Sequence, residues 1–154
     1  MKRFVLIAAA LSTVLALGGA LAHAYELLNK MPLPLEEYFI VQKAYRGWNS
    51  FSFILSIEMT SMIACLVLFW KDRLVRWCFA VALAMLIGSQ AVFWAFTFPT
   101  NLATEQWTQI PENADALRAQ WEYSHLAGAA MQLCAFTAIL WALVARFDRR
   151  PSCG

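Results

Sequence analysis

Residues 4–26 read FVLIAAALSTVLALGGALAHAYE, an apolar run that closes on a histidine and a glutamate three residues apart. A membrane helix needs about 20 mostly apolar residues, and this run is long enough. A secretory signal is the competing reading. Lys2 and Arg3 precede the run, and Ala22-His23-Ala24 has the A-x-A form of a cleavage site. The stretch from Phe4 to Ala22 spans 19 residues, above the roughly 7–15 of a signal's apolar region. Its length favours a retained helix. Cleavage would leave three helices and remove His23.

Working outward, three further runs qualify: Phe51 to Trp70, Trp77 to Phe98 and Trp121 to Ala145. The 154-residue chain is 61% hydrophobic with a mean hydropathy of +0.55. A soluble domain is about half apolar, so the composition predicts a membrane protein in contact with the lipid bilayer. The expected fold is all-α: a single domain, residues 1–154, built as a four-helix transmembrane bundle. The helices are expected at about 4–29, 50–70, 76–98 and 112–147. No basic patch with interleaved aromatics supports nucleic-acid binding.

Lysine and arginine set the orientation of such a bundle. Lys2, Arg3, Lys71, Arg73, Arg76, Arg146, Arg149 and Arg150 fall on one side, against Asp72 and Asp148. Lys30, Lys43, Arg46 and Arg118 fall on the other, with seven acids. Both termini are therefore expected in the cytoplasm, and the chain in a cell membrane of bacterial inner-membrane type. Cys65, Cys78, Cys134 and Cys153 include no C-x-x-C pair and none lies in the outward loops, which argues against disulfide-forming chemistry. Cys65 and Cys134 read as small apolar residues in packed helices.

Between the spans, Pro32 and Pro34 end the first helix. Leu35 to Arg46 predicts a short amphipathic helix along the outer surface, stopped at Gly47. The second outer connection runs from Pro99 to about Pro111, and the first turns of the fourth helix, with Arg118, should stand clear of the bilayer.

The two histidines carry the site reading. His23 and Glu26 close the first apolar run; Glu122 and His125 open the last. Residues three apart share a helix face, and the alternating spans put both pairs on one side. Glu58 and Gln90 lie about 10–12 Å below that surface, and Gln132 lies about 10 Å below His125 on the same face. Lipid satisfies none of these groups, so they should point inward and meet. Gly128, one turn from His125, would let a helix or a flat ligand come close. The plainer alternatives make Glu26 and Glu122 each a solvated cap, or a simple partner of a nearby Lys30 or Arg118. Trp94 and Trp141 read as packing.

Three chemistries fit this set. A metal would draw on His23, Glu26, Glu122, His125 and Glu58. Against the carboxylate-bridged two-metal bundles the set is one carboxylate short, with one motif reversed, so a single divalent transition metal held by two histidines and one carboxylate is the better match. Haem b would take His23 and His125 as axial ligands. A cofactor-free site would use a histidine as general base beside a small aromatic or quinone-like ligand. A non-catalytic accessory subunit of a membrane complex is the reading outside enzymes and binders.

Asn101-x5-Trp107 followed by Arg118-x2-Trp121-x3-His125 resembles the anthrone oxygenase-like integral membrane family, a domain of largely unknown function. Ala22-His23-x2-Glu26-Leu27-x-Asn29-Lys30 and Tyr45-Arg46-Gly47-Trp48 extend the resemblance over nearly the whole chain. It implies four membrane helices and an oxygenase-like oxidoreductase, with some relatives linked to oxidation of anthrones to anthraquinones. By that analogy Asn101, Trp107, Arg118, Trp121 and His125 are site residues, with Glu58, Gln90, Gln132 and Gly128 around them.

Overall fold

The computed structural model describes residues 2–148. Arg149, Arg150 and Cys153 lie outside the described residues. The described chain is helical: α1 Lys2–Lys30, α2 Leu35–Gln42, α3 Ser52–Leu68, α4 Arg73–Val92, α5 Phe98–Ala103 and α6 Ala114–Asp148. A five-residue π turn, Phe93–Thr97, joins α4 to α5. Four continuous helical stretches are long and apolar enough to cross a membrane: Lys2–Lys30, Trp48–Leu68, Arg73–Ala103 and Ala114–Arg146. This is the architecture of a multi-pass membrane protein.

Two elements differ from expectation. The third span does not stop at Pro99. A proline lacks an N–H and its ring clashes with the carbonyl four residues back. Here the helix widens first: the Phe98 N–H bonds to the Phe93 carbonyl, five residues back. Pro99 then sits in the opening positions of α5, where its missing donor is tolerated. The Gln120 amide donates to the Phe96 carbonyl at 2.9 Å and satisfies part of the widened turn.

The second difference is α2. The expected loop helix forms, but over Leu35–Gln42 only and with one face packed against the bundle. Tyr38, Phe39 and Gln42 are buried, while Ile40 and Val41 face outward. The helix folds over one end of the bundle, where Tyr38 and Phe39 pack on Trp107, Ala114 and Trp121. We call this end the mouth. A 3-10 turn over Lys43–Tyr45 follows, and Gly47 at φ +85° reverses the chain into α3. That left-handed conformation is one glycine adopts without a steric penalty.

The opposite half is sealed by an apolar core. Ala9, Met62, Cys65, Phe79, Ala82, Ala135, Ile139 and Ala142 are buried in one cluster. Alanines on α1, α4 and α6 let the helices approach closely. Cys65 and Cys78 belong to this core, but Cys134 is exposed and does not. At that end Lys2 and Arg146 both lie over the Phe69 ring, 5.5 and 4.6 Å from its centroid.

Candidate functional site

The mouth opens into a cavity of about 810 Å³ lined by residues from α1, α3, α4, α5, α6 and the loops beside them. His23, Gln90, Asn101, Trp107, Trp121, His125, Gly128 and Gln132 border it. The His23 and His125 rings, one from α1 and one from α6, stack with centroids 4.1 Å apart and planes 24° from parallel. Trp121 meets both, at 5.1 Å from His23 and 4.1 Å from His125, in edge-to-face geometry. Tyr45 and Trp48 close on His23 at 4.4 and 5.3 Å. Edge-on contacts of this kind place ring hydrogens against ring faces and fix orientation. The buried Nδ1 of His23 has no hydrogen-bond partner among the described residues.

One amide organises the indoles. Asn101 Oδ1 accepts from Trp107 Nε1 and from Trp121 Nε1, each at 3.0 Å. Both lone pairs of that oxygen are then engaged, which leaves the Asn101 amide N–H groups as its remaining capacity beside the cavity. The segment leading to Trp107 is strained: Glu105, Gln106 and Trp107 have φ of 46°, 57° and 63°. Each left-handed residue costs roughly 1–2 kcal/mol. Hydrogen bonds hold the turn. Gln106 N–H donates to the Asn101 carbonyl at 2.7 Å, and Trp107 N–H donates to Thr104 Oγ1 at 3.2 Å. Strain of this sort gathers at ligand-binding positions.

The glutamates do not converge on the histidines. Glu122 is 1% exposed and points away from the cavity. Lys30 Nζ lies 3.0 Å from its carboxylate, and Tyr38 Oη donates to it at 2.9 Å. Glu26 accepts from Tyr45 Oη and lies 3.5 Å from Lys30. Lys30 is itself buried, 4.9 Å from the Trp121 ring centroid and 5.0 Å from that of Tyr45. A buried cation needs such partners. Burial, then the Glu122 charge and its hydrogen bond, push the Tyr38 phenol well above the ordinary tyrosine range. Burial, then the bond to Glu26, does the same to Tyr45.

Four expectations are settled here. Glu122 is not a solvated cap; of the two alternatives it is the ion-pair partner of Lys30. Arg118 does not border the cavity. It donates to the Leu33 carbonyl and to Asp115 Oδ1, both at 2.6 Å, and lies over the Tyr38 ring; it braces α2. The metal set fails on geometry: among the described residues no three His, Cys, Asp or Glu side chains are grouped as a metal would require. Haem b does not fit between His23 and His125, because stacked rings 4.1 Å apart leave no space for a porphyrin.

Glu58 stands apart from the histidines, 1% exposed, with Gln132 Nε2 donating to its carboxylate and Thr13 beside it. It borders a second cavity of about 390 Å³, which shares Gln90 and Gln132 with the first. Trp94, read as packing, edges the main cavity, while Trp141 is exposed.

Sequence reasoning missed Lys30, Tyr38 and Gln42 as buried mouth residues. The signal was present for Lys30: with His23 and Glu26 it makes an i, i+3, i+7 row on one helix face. Gln42 is 2% exposed, its side-chain amide has no hydrogen-bond partner among the described residues, and it lines the cavity. No family model, curated protein or solved structure matches the chain.

Proposed function

We propose that this membrane protein binds a small planar aromatic or quinone-like molecule in the mouth cavity and oxidises it without a bound cofactor. The observation that carries this reading is the cavity wall itself. Stacked imidazoles, Trp107, Trp121 and Trp48 offer flat faces, while Asn101 and Gln42 offer polar groups that the protein leaves free. A cavity of about 810 Å³ suits a ligand of three fused rings, since small-molecule sites run from about 300 to 1,000 Å³. The resemblance to the anthrone oxygenase-like family points to the same class.

In this reading an anthrone is the model substrate and dioxygen the oxidant. His125 accepts a proton from the acidic ring methylene, and the Asn101 amide donates to the ketone oxygen as it gains charge. The methylene carbon loses two hydrogens and gains one oxygen atom of O2. The second oxygen leaves as water with those two hydrogens. Trp121 and Trp107 serve as stacking walls. The positive-inside rule places the basic end, with Lys2, Arg76 and Arg146, and both termini in the cytoplasm, so the mouth opens to the other side.

The test uses purified protein in detergent, with anthrone as substrate. Oxygen uptake and the anthraquinone absorbance should rise together, and His125→Phe should abolish both. Absence of turnover, together with no quenching of tryptophan emission by anthraquinone, would remove the reading and favour an accessory subunit.

A further inference from the structure

The second cavity lies in the wall of the bundle, between α3 and α4. Exposed Ser56 and Thr60 and half-buried Met59 of α3 border it, together with buried Glu58, Leu86 of α4 and Gln132 of α6. Ser56 and Thr60 are exposed on the side of α3. Their neighbours Phe53, Ile57 and Ile63 are exposed too, so this face is the apolar belt that meets hydrocarbon. The hydroxyls of Ser56 and Thr60 donate to carbonyls four residues back in their own helix, at 2.8 and 2.7 Å. They are satisfied in lipid without a partner from outside. Ser52, Leu55, Ser89, Gln90 and Gln132 border both cavities. The side opening and the mouth cavity are therefore neighbours through one shared wall.

We propose that this opening is a lateral window through which a bilayer-dissolved phenol or quinone reaches the mouth cavity, its oxygen received in passing by Glu58, Gln90 and Gln132. The inference rests on the function proposed above and adds the substrate's physical class: lipid-partitioned, flat, with at least one hydroxyl or carbonyl oxygen. Three observations carry it. The window sits within the hydrophobic belt. It is lined inside by a carboxyl and two amides, groups that lipid would leave unsatisfied. At the mouth, the route from water is narrowed by α2 and by the Trp107 turn, which pack on each other and on Trp121.

The experiment uses full-length protein in liposomes, with menadione as the probe and quenching of tryptophan emission as the signal, followed by stopped flow. In the wild type the association rate should follow the mole fraction of menadione in the lipid. At one fixed aqueous concentration it should rise when the bilayer composition is changed so that menadione partitions more strongly into the lipid. The double variant Ser56→Phe/Thr60→Phe touches only the window. It should slow association and dissociation alike, by about tenfold, and leave the equilibrium Kd unchanged, as expected for a blocked path to an intact site. Rates that track aqueous menadione, or a double variant with wild-type rates, would overturn the window while leaving the site. No quenching in the wild type would overturn the site reading and the window with it. The wild-type series in lipids of different partitioning decides the matter even where the double variant fails to fold.

Discussion

His23 and His125 lie face to face, 4.1 Å between ring centroids, although 101 residues of chain separate them. Both rings border the cavity, and the buried His23 Nδ1 has no hydrogen-bond partner among the described residues. That nitrogen is therefore open to a ligand. The pair also defines how α1 and α6 meet at the mouth, so substitutions there separate chemistry from packing.

His125→Phe keeps a flat ring against His23 and Trp121 but removes the base. It should lower oxidation of anthrone by about 10²–10⁴-fold, the usual range for a positioned general base. Menadione quenching should stay within a few-fold of wild type. Comparable loss of binding and turnover would show that His125 holds the ligand rather than moving its proton.

Asn101→Ala strands two buried indole donors, each costing about 1–3 kcal/mol. Thermal unfolding in detergent should shift down, and tryptophan emission should move to the red as the indoles loosen. Asn101→Asp, which keeps an acceptor oxygen at that position, should recover most of the emission. An unchanged Tm for the alanine variant would mean the two 3.0 Å bonds carry little weight.

Lys30→Met leaves the buried Glu122 carboxylate without its cation, with only the Tyr38 hydroxyl donating to it, a change worth about 3–5 kcal/mol. The double variant Lys30→Met/Glu122→Gln should restore much of that loss, because it removes both charges. Denaturation of the two single variants and the double variant completes the cycle. Additive effects would show that the 3.0 Å pair is not coupled.

Tyr38 and Tyr45 predict an alkaline limit. Their phenols titrate above the ordinary range when folded, so the folded state holds those protons more tightly than the unfolded chain does. That stability is complete below the unfolded value of about 10 and is lost as pH rises from there towards the folded value. Tyr38→Phe should flatten the fall in stability between pH 9 and 11. An identical slope in the variant would show that Tyr38 does not contribute.

Gly47→Ala should destabilise by about 1–2 kcal/mol, since φ of +85° forces the new Cβ against its own backbone. Gly47→Asn should lose less. Nothing lies within 4 Å of a Cβ placed there, so the effect reports backbone conformation alone, readable as a shift in Tm.

The helices were legible because hydropathy over some 20 residues is a strong signal. Pro99 misled the end of the third span because a π turn, which absorbs its missing bond, has no marker in residue type. The carboxylates misled the metal reading for a different reason. Spacing along α1 puts His23, Glu26 and Lys30 on one face, but rotation about the axis decides which of them looks into the cavity. Glu122 and His125 share α6, yet one turns to Lys30 and the other to His23. Whether α2 would lie flat or fold inward was equally hidden. Tyr38 and Phe39 sit at adjacent positions, and only the aromatic contacts from Trp107 decide that both are buried.

The turn at Glu105, Gln106 and Trp107 winds against the native handedness of L-residues for three positions in a row. Its roof over the mouth is thus cocked, held by Asn101 and Thr104 against a backbone that prefers to unwind. A guest carbonyl that uses only the Asn101 amide N–H groups leaves that oxygen on both indoles, so the roof stays braced while the cavity is filled.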